Sequence, residues 1–417
     1  MLSVLPGDFT LPVAEAILEA ADVPVLGTIE NLTAQSLLFV EPLGESTGYR
    51  MLETVRQHGR GLLLDKDEAD GASRAMASWC AAFARQAQEG LQGEGHHRWS
   101  AEIDRNMDSL RSALGWASEN EVTTGLSIAI SLAPYWWNRG LVADEEGIRS
   151  TPAAVEGASW LERLLDSSEQ APSTLVALGR LALAGNILNR LGREEDAIQH
   201  LQMARATFAK VDNTRAVGMT HYFEALSRYG AGGEVLEEHL RLAVDMLADD
   251  PTYGSLSRAF MAWYLLDSDK EHEASELIDS LISDEGMRPL MRGHRLEFKA
   301  GFAIRLGKEA DPEDLKQAWE LFQQAEQSCI VHLLQSIAHW RAAIGHSTDA
   351  AKLLGISQRF QDELGITLAA YENRERYALQ LMNDLDPATR RHAYEEGRVL
   401  APVEGLEFAE KVLGEVS

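Results

Sequence analysis

Only two cysteines occur in the 417 residues, Cys80 and Cys329. No disulfide framework can therefore organise the fold, and a reducing cytoplasm is the expected location. Each cysteine lies in an apolar helical context, where a small buried hydrophobe is expected. No run reaches the roughly 18 uncharged apolar residues of a membrane-spanning helix. The nearest approach, Thr124 to Trp137, is shorter and carries Pro134. No basic segment precedes an apolar stretch at the N-terminus, so no secretory leader is expected. Basic residues are also scarce: 38 Lys and Arg against 65 Asp and Glu leave a net charge of −27. Such a chain repels a phosphate backbone unless its cations segregate. The one local basic bias, Arg50, Arg56 and Arg60, is followed at once by Asp65, Asp67, Glu68 and Asp70.

The chain also lacks motifs that would announce chemistry. No G-x-x-x-x-G-K-[ST] phosphate loop occurs; Gly307-Lys308 is followed by Glu309-Ala310. His272-Glu273 has no second histidine at zinc-protease spacing. Gly157-Ala158-Ser159-Trp160-Leu161 has neither the second glycine nor the strand of a nucleophile elbow. Carboxylate pairs such as Asp144-Glu145-Glu146 are what chance provides in so acidic a chain, and none stands out as an acid/base couple. His96-His97 is the one adjacent histidine pair, and His332, His339 and His346 recur every seven residues. Both sets read as ordinary loop, surface or core histidines, with a ligand-contacting stripe as the lesser alternative for the second. No catalytic, cofactor or metal residue is assigned, and the expected protein is not an enzyme.

What is present is helical periodicity. A hydrophobic share of 45% and a charged share of 25% are those of a globular protein. Residues 1–65 read as helix (Leu11 to Ala21), helix (Leu26 to Gln35), strand (Ser36 to Glu41), turn, strand (Tyr49 to Leu52) and helix (Glu53 to Leu64). That is the order of a winged-helix domain. Its second helix holds Glu30, Asn31, Thr33 and Gln35 but no Lys or Arg. Packing on a neighbouring domain is therefore expected in place of base reading. Beyond residue 70 no strand is predicted. Ala72 to Gln88, Trp99 to Glu119 and Leu126 to Trp137 form helices, so residues 66–140 are a connector or the first hairpins. Residues 141–159, small and acidic with Pro152, read as a loop or insertion. Three successive aromatics, Tyr135, Trp136 and Trp137, cannot all face one core; they are a candidate interface, with packing of all three between adjacent helix layers as the weightier alternative.

Residues 160–417 read as tetratricopeptide-like helical hairpins. The clearest unit runs from Gly185 to Ala204, with small or apolar packing positions at Gly185, Ala197, Leu201 and Ala204 and a turn at Gly192. Positions comparable to Ala197 are Leu236, Ala274, Ala318 and Ala350, at spacings of 39, 38, 44 and 32 residues. Each has an apolar residue four positions on: Leu201, Leu240, Ile278, Phe322 and Leu354. Turns precede them at Leu191-Gly192, Gly230 to Gly233, Ser268-Asp269, Leu306-Gly307 and Ile344-Gly345. Stacked units of this kind build a concave surface suited to binding another protein or a small effector.

Seven segments together carry a family resemblance: Leu2 to Leu11, Tyr49 to Gln57, Glu102 to Ala117, Tyr135 to Gly140, Trp160 to Leu165, Ala350 to Gly355 and Glu396 to Arg398. In this order the chain resembles the C-terminal half of bacterial STAND-type ATPase regulators, including LuxR-like and adenylate-cyclase-associated regulators. The resemblance implies a winged helix followed by helical repeats, preceded in the family by an NTPase domain, and nucleotide-gated regulation, often of transcription. The first helix expected before Leu2 is absent from this sequence, as is the phosphate loop. The expectation is thus a mainly α protein: an α-solenoid of TPR-like hairpins behind a small, N-terminally truncated winged helix. It would act as a regulatory or scaffold arm without a cofactor. The alternative is a piece of a nucleotide-dependent activator whose phosphate loop is encoded upstream.

Overall fold

The computed structural model describes residues 1–417 apart from 44–45, 92–94, 140, 145–146, 151–152, 190, 230–231, 280, 282–288, 326–328, 365–377 and 416–417. The chain is mainly helical and divides into two compact units. One comprises Met1–Leu91, His97–Ala133 and Ser159–Gly179; the other comprises Gln92–His96, Pro134–Ala158 and Arg180–Ser417.

In the first unit, strand β1 (Phe9–Thr10) leads into α1 (Leu11–Glu19) and α2 (Val25–Ala34). Strands β2 (Phe39–Leu43) and β3 (Ser46–Arg50) follow, then α3 (Glu53–Asp65). The three strands form an antiparallel sheet in the order β1-β3-β2, with Phe9 opposite Tyr49 and Val40 opposite Tyr49 on the other side. The Phe9 and Tyr49 rings stack at 5.9 Å, a cross-strand pair that fixes register. Strand β1 was not expected from sequence, because two residues are too few to show a period. The three arginines of the local basic bias are all engaged. Arg50 pairs with Glu41 on the neighbouring strand. Arg56 donates to the carbonyls of Pro6 and Met51, and Arg60 to those of Ser3 and Val4. They hold the N-terminal segment onto α3 and satisfy carbonyls that no sheet or helix covers.

Helices α4 (Ala69–Gly90), α5 (His96–Asn120), α6 (Val122–Arg139), α7 (Ala153–Asp166) and α8 (Ser173–Leu183) follow. Residues 141–159, read as a loop or insertion, contain strands that the sequence did not announce. Leu141–Asp144 (β4) and Gly147–Ser150 (β5) pair antiparallel, and α7 begins at Ala153. Val142 and Ile148 favour extended backbone. Cys80 is fully buried on α4, and burial pushes its thiol up to about 12, which leaves it unreactive. Gly115 on α5 has open space where a side chain would go. Gly115→Ala is expected to raise stability by up to about 1 kcal/mol in thermal or urea unfolding.

The second unit is a run of helical hairpins. The π turn that follows α8 (Ala184–Leu188) pairs with α9 (Glu194–Lys210). Then α10 (Thr214–Arg228) pairs with α11 (Glu234–Met246), and α12 (Tyr253–Asp267) with α13 (Glu271–Asp279). Likewise α14 (Pro289–Arg305) pairs with α15 (Pro312–Ala325), and α16 (Ile330–Ala343) with α17 (Ser347–Leu364). Two more helices, α18 (Pro387–Val399) and α19 (Pro402–Gly414), pack on α17.

Four of the hairpin turns share one geometry. A residue with positive φ (Gly192, Asp269, Gly307 or Gly345) ends the first helix. The next amide then bonds back five residues: Arg193 to Leu188, Lys270 to Leu265, Lys308 to Ala303 and His346 to Arg341, at 2.8–3.0 Å. This pattern satisfies the last carbonyls of each first helix and reverses the chain. Gly192→Ala, which forces a Cβ into the left-handed region, is expected to cost about 1 kcal/mol in thermal unfolding.

Asp269, Gly307 and Gly345 stand 38 residues apart. The first helices keep that period: Tyr222, Phe260 and Phe298 are equivalent, and their rings meet at 6.1 and 5.8 Å. The packing residues all lie in the interior. Ala197, Leu201, Ala204, Ala274, Ala318 and Ala350 are fully buried on second helices, and Gly185 admits the Phe223 ring, which a Cβ would meet at 2.9 Å. Ala197, Ala274 and Ala350 are each the fourth residue of their helix, a place that Leu315 holds in α15; Ala318 lies one turn further on. The uneven 44 and 32 spacings arise from that offset together with the later start of α15, which begins five residues after Gly307, whereas α13 and α17 begin two residues after Asp269 and Gly345.

Candidate functional site

Tyr135, Trp136 and Trp137 do not form an exposed patch. Trp136 is fully buried against α7, where a Cβ on Gly157 would fall 2.6 Å from its ring, and Tyr135 is also buried. Trp137 keeps partial exposure.

Two clusters of histidines around a buried carboxylate centre on first helices of the hairpins. The earlier cluster centres on Glu224 of α10, which is only 1% exposed. Arg205 from α9 and Arg228 from α10 donate to its carboxylate, the latter at 2.8 and 3.0 Å. His239 of α11 faces the same carboxylate, its Nε2 3.4 Å from Oε1. The Nδ1 atoms of His221 and His239 lie 2.8 Å apart, so one donates and the other accepts. The arrangement that serves all three groups gives His239 a proton on Nε2 toward Glu224 and lets its Nδ1 accept from His221. Burial, with Arg205 and the second imidazole adding to it, lowers His221 from 6.5 to about 4. Burial also lowers His239, against the pull of Glu224. Burial pushes Glu224 up, but the hydrogen bonds from Arg228 and Arg205 outweigh it and hold the carboxyl below its ordinary value.

The later cluster spans α14 and α16. His294 and Glu297, three apart, share one face of α14. His332 enters from α16, 38 residues after His294 and therefore at the equivalent place in the next hairpin. The Glu297 carboxylate is 1% exposed, with its Oε2 3.5 Å from His294 Nδ1 and 3.8 Å from His332 Nδ1. Ser336 Oγ donates to the other oxygen, Oε1, at 2.9 Å. Cys329 Sγ lies 3.4 Å from His294 Nε2. Phe298 and Phe322 wall the site, with ring centres 6.1 and 4.9 Å from His294. Among the described residues, His294, Glu297 and His332 are the one set of three or more His, Cys, Asp or Glu side chains close enough to share an ion.

Sequence reading had grouped His332 with His339 and His346. His339 is instead buried within α16, and His346 lies at the hairpin turn, 3.9 Å from Asp349. The informative partner of His332 was one repeat upstream. The 38-residue period of the turns would have exposed it, whereas a search for second-helix alanines did not. Helix α16 is buried around nearly all of its circumference, so no apolar stripe is left open on it. On α12, by contrast, Leu256, Phe260 and Tyr264 keep partial exposure at helical spacing.

The fold is that of a mainly helical protein with serial hairpins and a small N-terminal α/β element. No protein-family model matches the chain. It is similar to proteins provisionally named HTH-type transcriptional regulators, one from Mycobacterium bovis and two from strains of Mycobacterium tuberculosis. Each is 29% identical over 169 residues, covering 40% of this chain and 18% of the relative. The aligned stretch is thus less than a fifth of the length of the regulators it matches. No described helix is long and apolar enough to cross a membrane.

Proposed function

We propose that this chain is a non-catalytic regulatory arm of a bacterial transcription-regulating system of the STAND type, working in the cytoplasm. Its N-terminal element would be a winged helix and its hairpins TPR-like repeats that receive a protein segment or small effector. The observation that carries this reading is the partial similarity to HTH-type transcriptional regulators, joined to a run of hairpins on one period. The order β1-α1-α2-β2-β3 and the β1-β3-β2 sheet suit a winged helix. A partner on the repeats would find its apolar contacts on α12, at Leu256, Phe260 and Tyr264.

The N-terminal element serves here as a docking piece, not a reader of DNA. Its helix α2 carries no Lys or Arg, Leu26 on it is 65% exposed, and Val40 on β2 is 54% exposed. Exposed large apolar residues on a small domain suit packing against protein. The test combines two measurements. Deleting the gene should change the level of a defined set of transcripts, and the tagged chain should retain a partner that Leu26→Asp and Val40→Asp release. No transcript change and no partner sensitive to those substitutions would overturn the proposal. In a gel-shift assay the isolated chain is expected to leave duplex DNA unshifted at physiological salt.

The limited share of each relative that aligns favours a second reading. In it the chain is part of a nucleotide-dependent activator, with a phosphate loop encoded upstream. Sequencing the preceding reading frame tests it: a frame without G-x-x-x-x-G-K-[ST] removes this reading and leaves the first.

A further inference from the structure

We infer that His294, Glu297 and His332 form a binding site for a first-row divalent cation, Zn²⁺ foremost, which ties consecutive hairpins together at α14 and α16. The argument is one of distances. A carboxylate hydrogen-bonded to a charged imidazole sits about 2.7–2.9 Å from it. Glu297 Oε2 instead lies 3.5 and 3.8 Å from two imidazole nitrogens at once. Ligand atoms about 2.0–2.1 Å from a tetrahedral Zn²⁺ are roughly 3.4 Å from one another. The two imidazole–carboxylate separations are thus close to those of ligands around a shared ion, and one ligand atom from each of the three residues lies within 4.8 Å of the others.

The surroundings are those of a metal site as well. Ser336 Oγ holds Oε1 of Glu297 at 2.9 Å, which turns Oε2 toward the two imidazoles. With Nδ1 of His294 on the metal, its Nε2–H points at Cys329 Sγ, 3.4 Å away. An outer partner of this kind fixes the tautomer and orientation of a ligating histidine. The stacked rings of His294 and His332, 5.7 Å apart with planes 13° from parallel, present their nitrogens to the same side. Phe298 and Phe322 keep the surroundings apolar. Two imidazoles and one carboxylate suit Zn²⁺ among available cations. They leave a fourth position for water or an incoming donor. Because the ligands come from two hairpins, metal bound there stabilises the stack by mass action.

The test uses the full chain, stripped with a chelator and titrated with Zn²⁺ alone. One equivalent is expected to bind, with a rise in melting temperature. Glu297→Gln and His332→Ala should each lower affinity at least tenfold, while His272→Ala and His392→Ala, on exposed positions, should leave it unchanged. Circular dichroism establishes that the variants keep their helices. If they do not, Co²⁺ added to the unaltered chain decides: four-coordinate Co²⁺ with nitrogen ligands gives visible d–d absorption, which Zn²⁺ abolishes by competition. Absence of that absorption, absence of stoichiometric binding, or binding lost in His272→Ala or His392→Ala but kept in Glu297→Gln would overturn the inference.

Discussion

Gly355→Ala and Gly397→Ala should each destabilise the C-terminal helices by about 2 kcal/mol or more, although alanine is the better helix former. These glycines lie on α17 and α18 where the two backbones touch. A Cβ on Gly355 would overlap the carbonyl oxygen of Tyr394, and a Cβ on Gly397 would overlap that of Lys352. Helix propensity returns at most about 1 kcal/mol per substitution. Overpacking against backbone, which cannot rotate away as a side chain can, costs about 1–3 kcal/mol and more when whole helices must separate. The clash therefore wins. The double variant should lose less than the sum of the singles, because the first Cβ already forces the separation the second needs. Limited proteolysis within α18 and α19, with thermal unfolding, reads this out. A Gly355→Ala protein as resistant and as stable as the parent would show that the helices are not in backbone contact.

The second large effect is loss of stability in acid. His221 is lowered to about 4 in the folded chain, against 6.5 when unfolded, and so is neutral when folded. As pH falls below 6.5 the unfolded chain takes up a proton the folded chain refuses. The stability present above that value is lost progressively down to about 4, by at most about 3 kcal/mol for this imidazole. His239, lowered in the same direction, adds to the loss. Glu224, held below its ordinary value by two arginines, contributes stability above the unfolded carboxylate range and loses it as pH falls through its folded value. Urea midpoints measured between pH 7.5 and 4 should fall steeply, and His221→Gln should flatten the upper part of the curve. Glu224→Gln keeps the shape but leaves Arg205 and Arg228 facing one another without their anion. A loss of about 3 kcal/mol at neutral pH is expected, and a pH-independent midpoint in the parent would refute the assignment.

Much of the architecture could be read from residues whose physics is local. Glycines at 192, 307 and 345 announce positive φ, and the alanines at 197, 274 and 350 announce close helix approach. The strands of the N-terminal hairpin were placed within a few residues by β-branched and aromatic composition. Harder to read were features that depend on the partner chosen. Strand β1 is two residues long and exists because β3 offers it an edge. Among the described residues, strands β4 and β5 pair only with each other. Which of the three successive aromatics is buried depends on Gly157, whose missing side chain leaves room for the Trp136 ring. Asp269 occupies a position that three other turns give to glycine, which hid the period. With the period hidden, His294 and His332 could not be recognised as equivalent, and Glu297 remained one acidic residue among 65.

The chain reaches the second compact unit, leaves it and returns, since Pro134–Ala158 belongs there while Ser159–Gly179 does not. Any expression fragment cut at residue 160 would therefore discard a piece of the body it was meant to isolate, including the Trp136 and Gly157 contact. Dissecting this protein calls for removing helices from the C-terminal end inward, or for circular permutation that rejoins the interleaved stretches, because no single scission liberates either half intact.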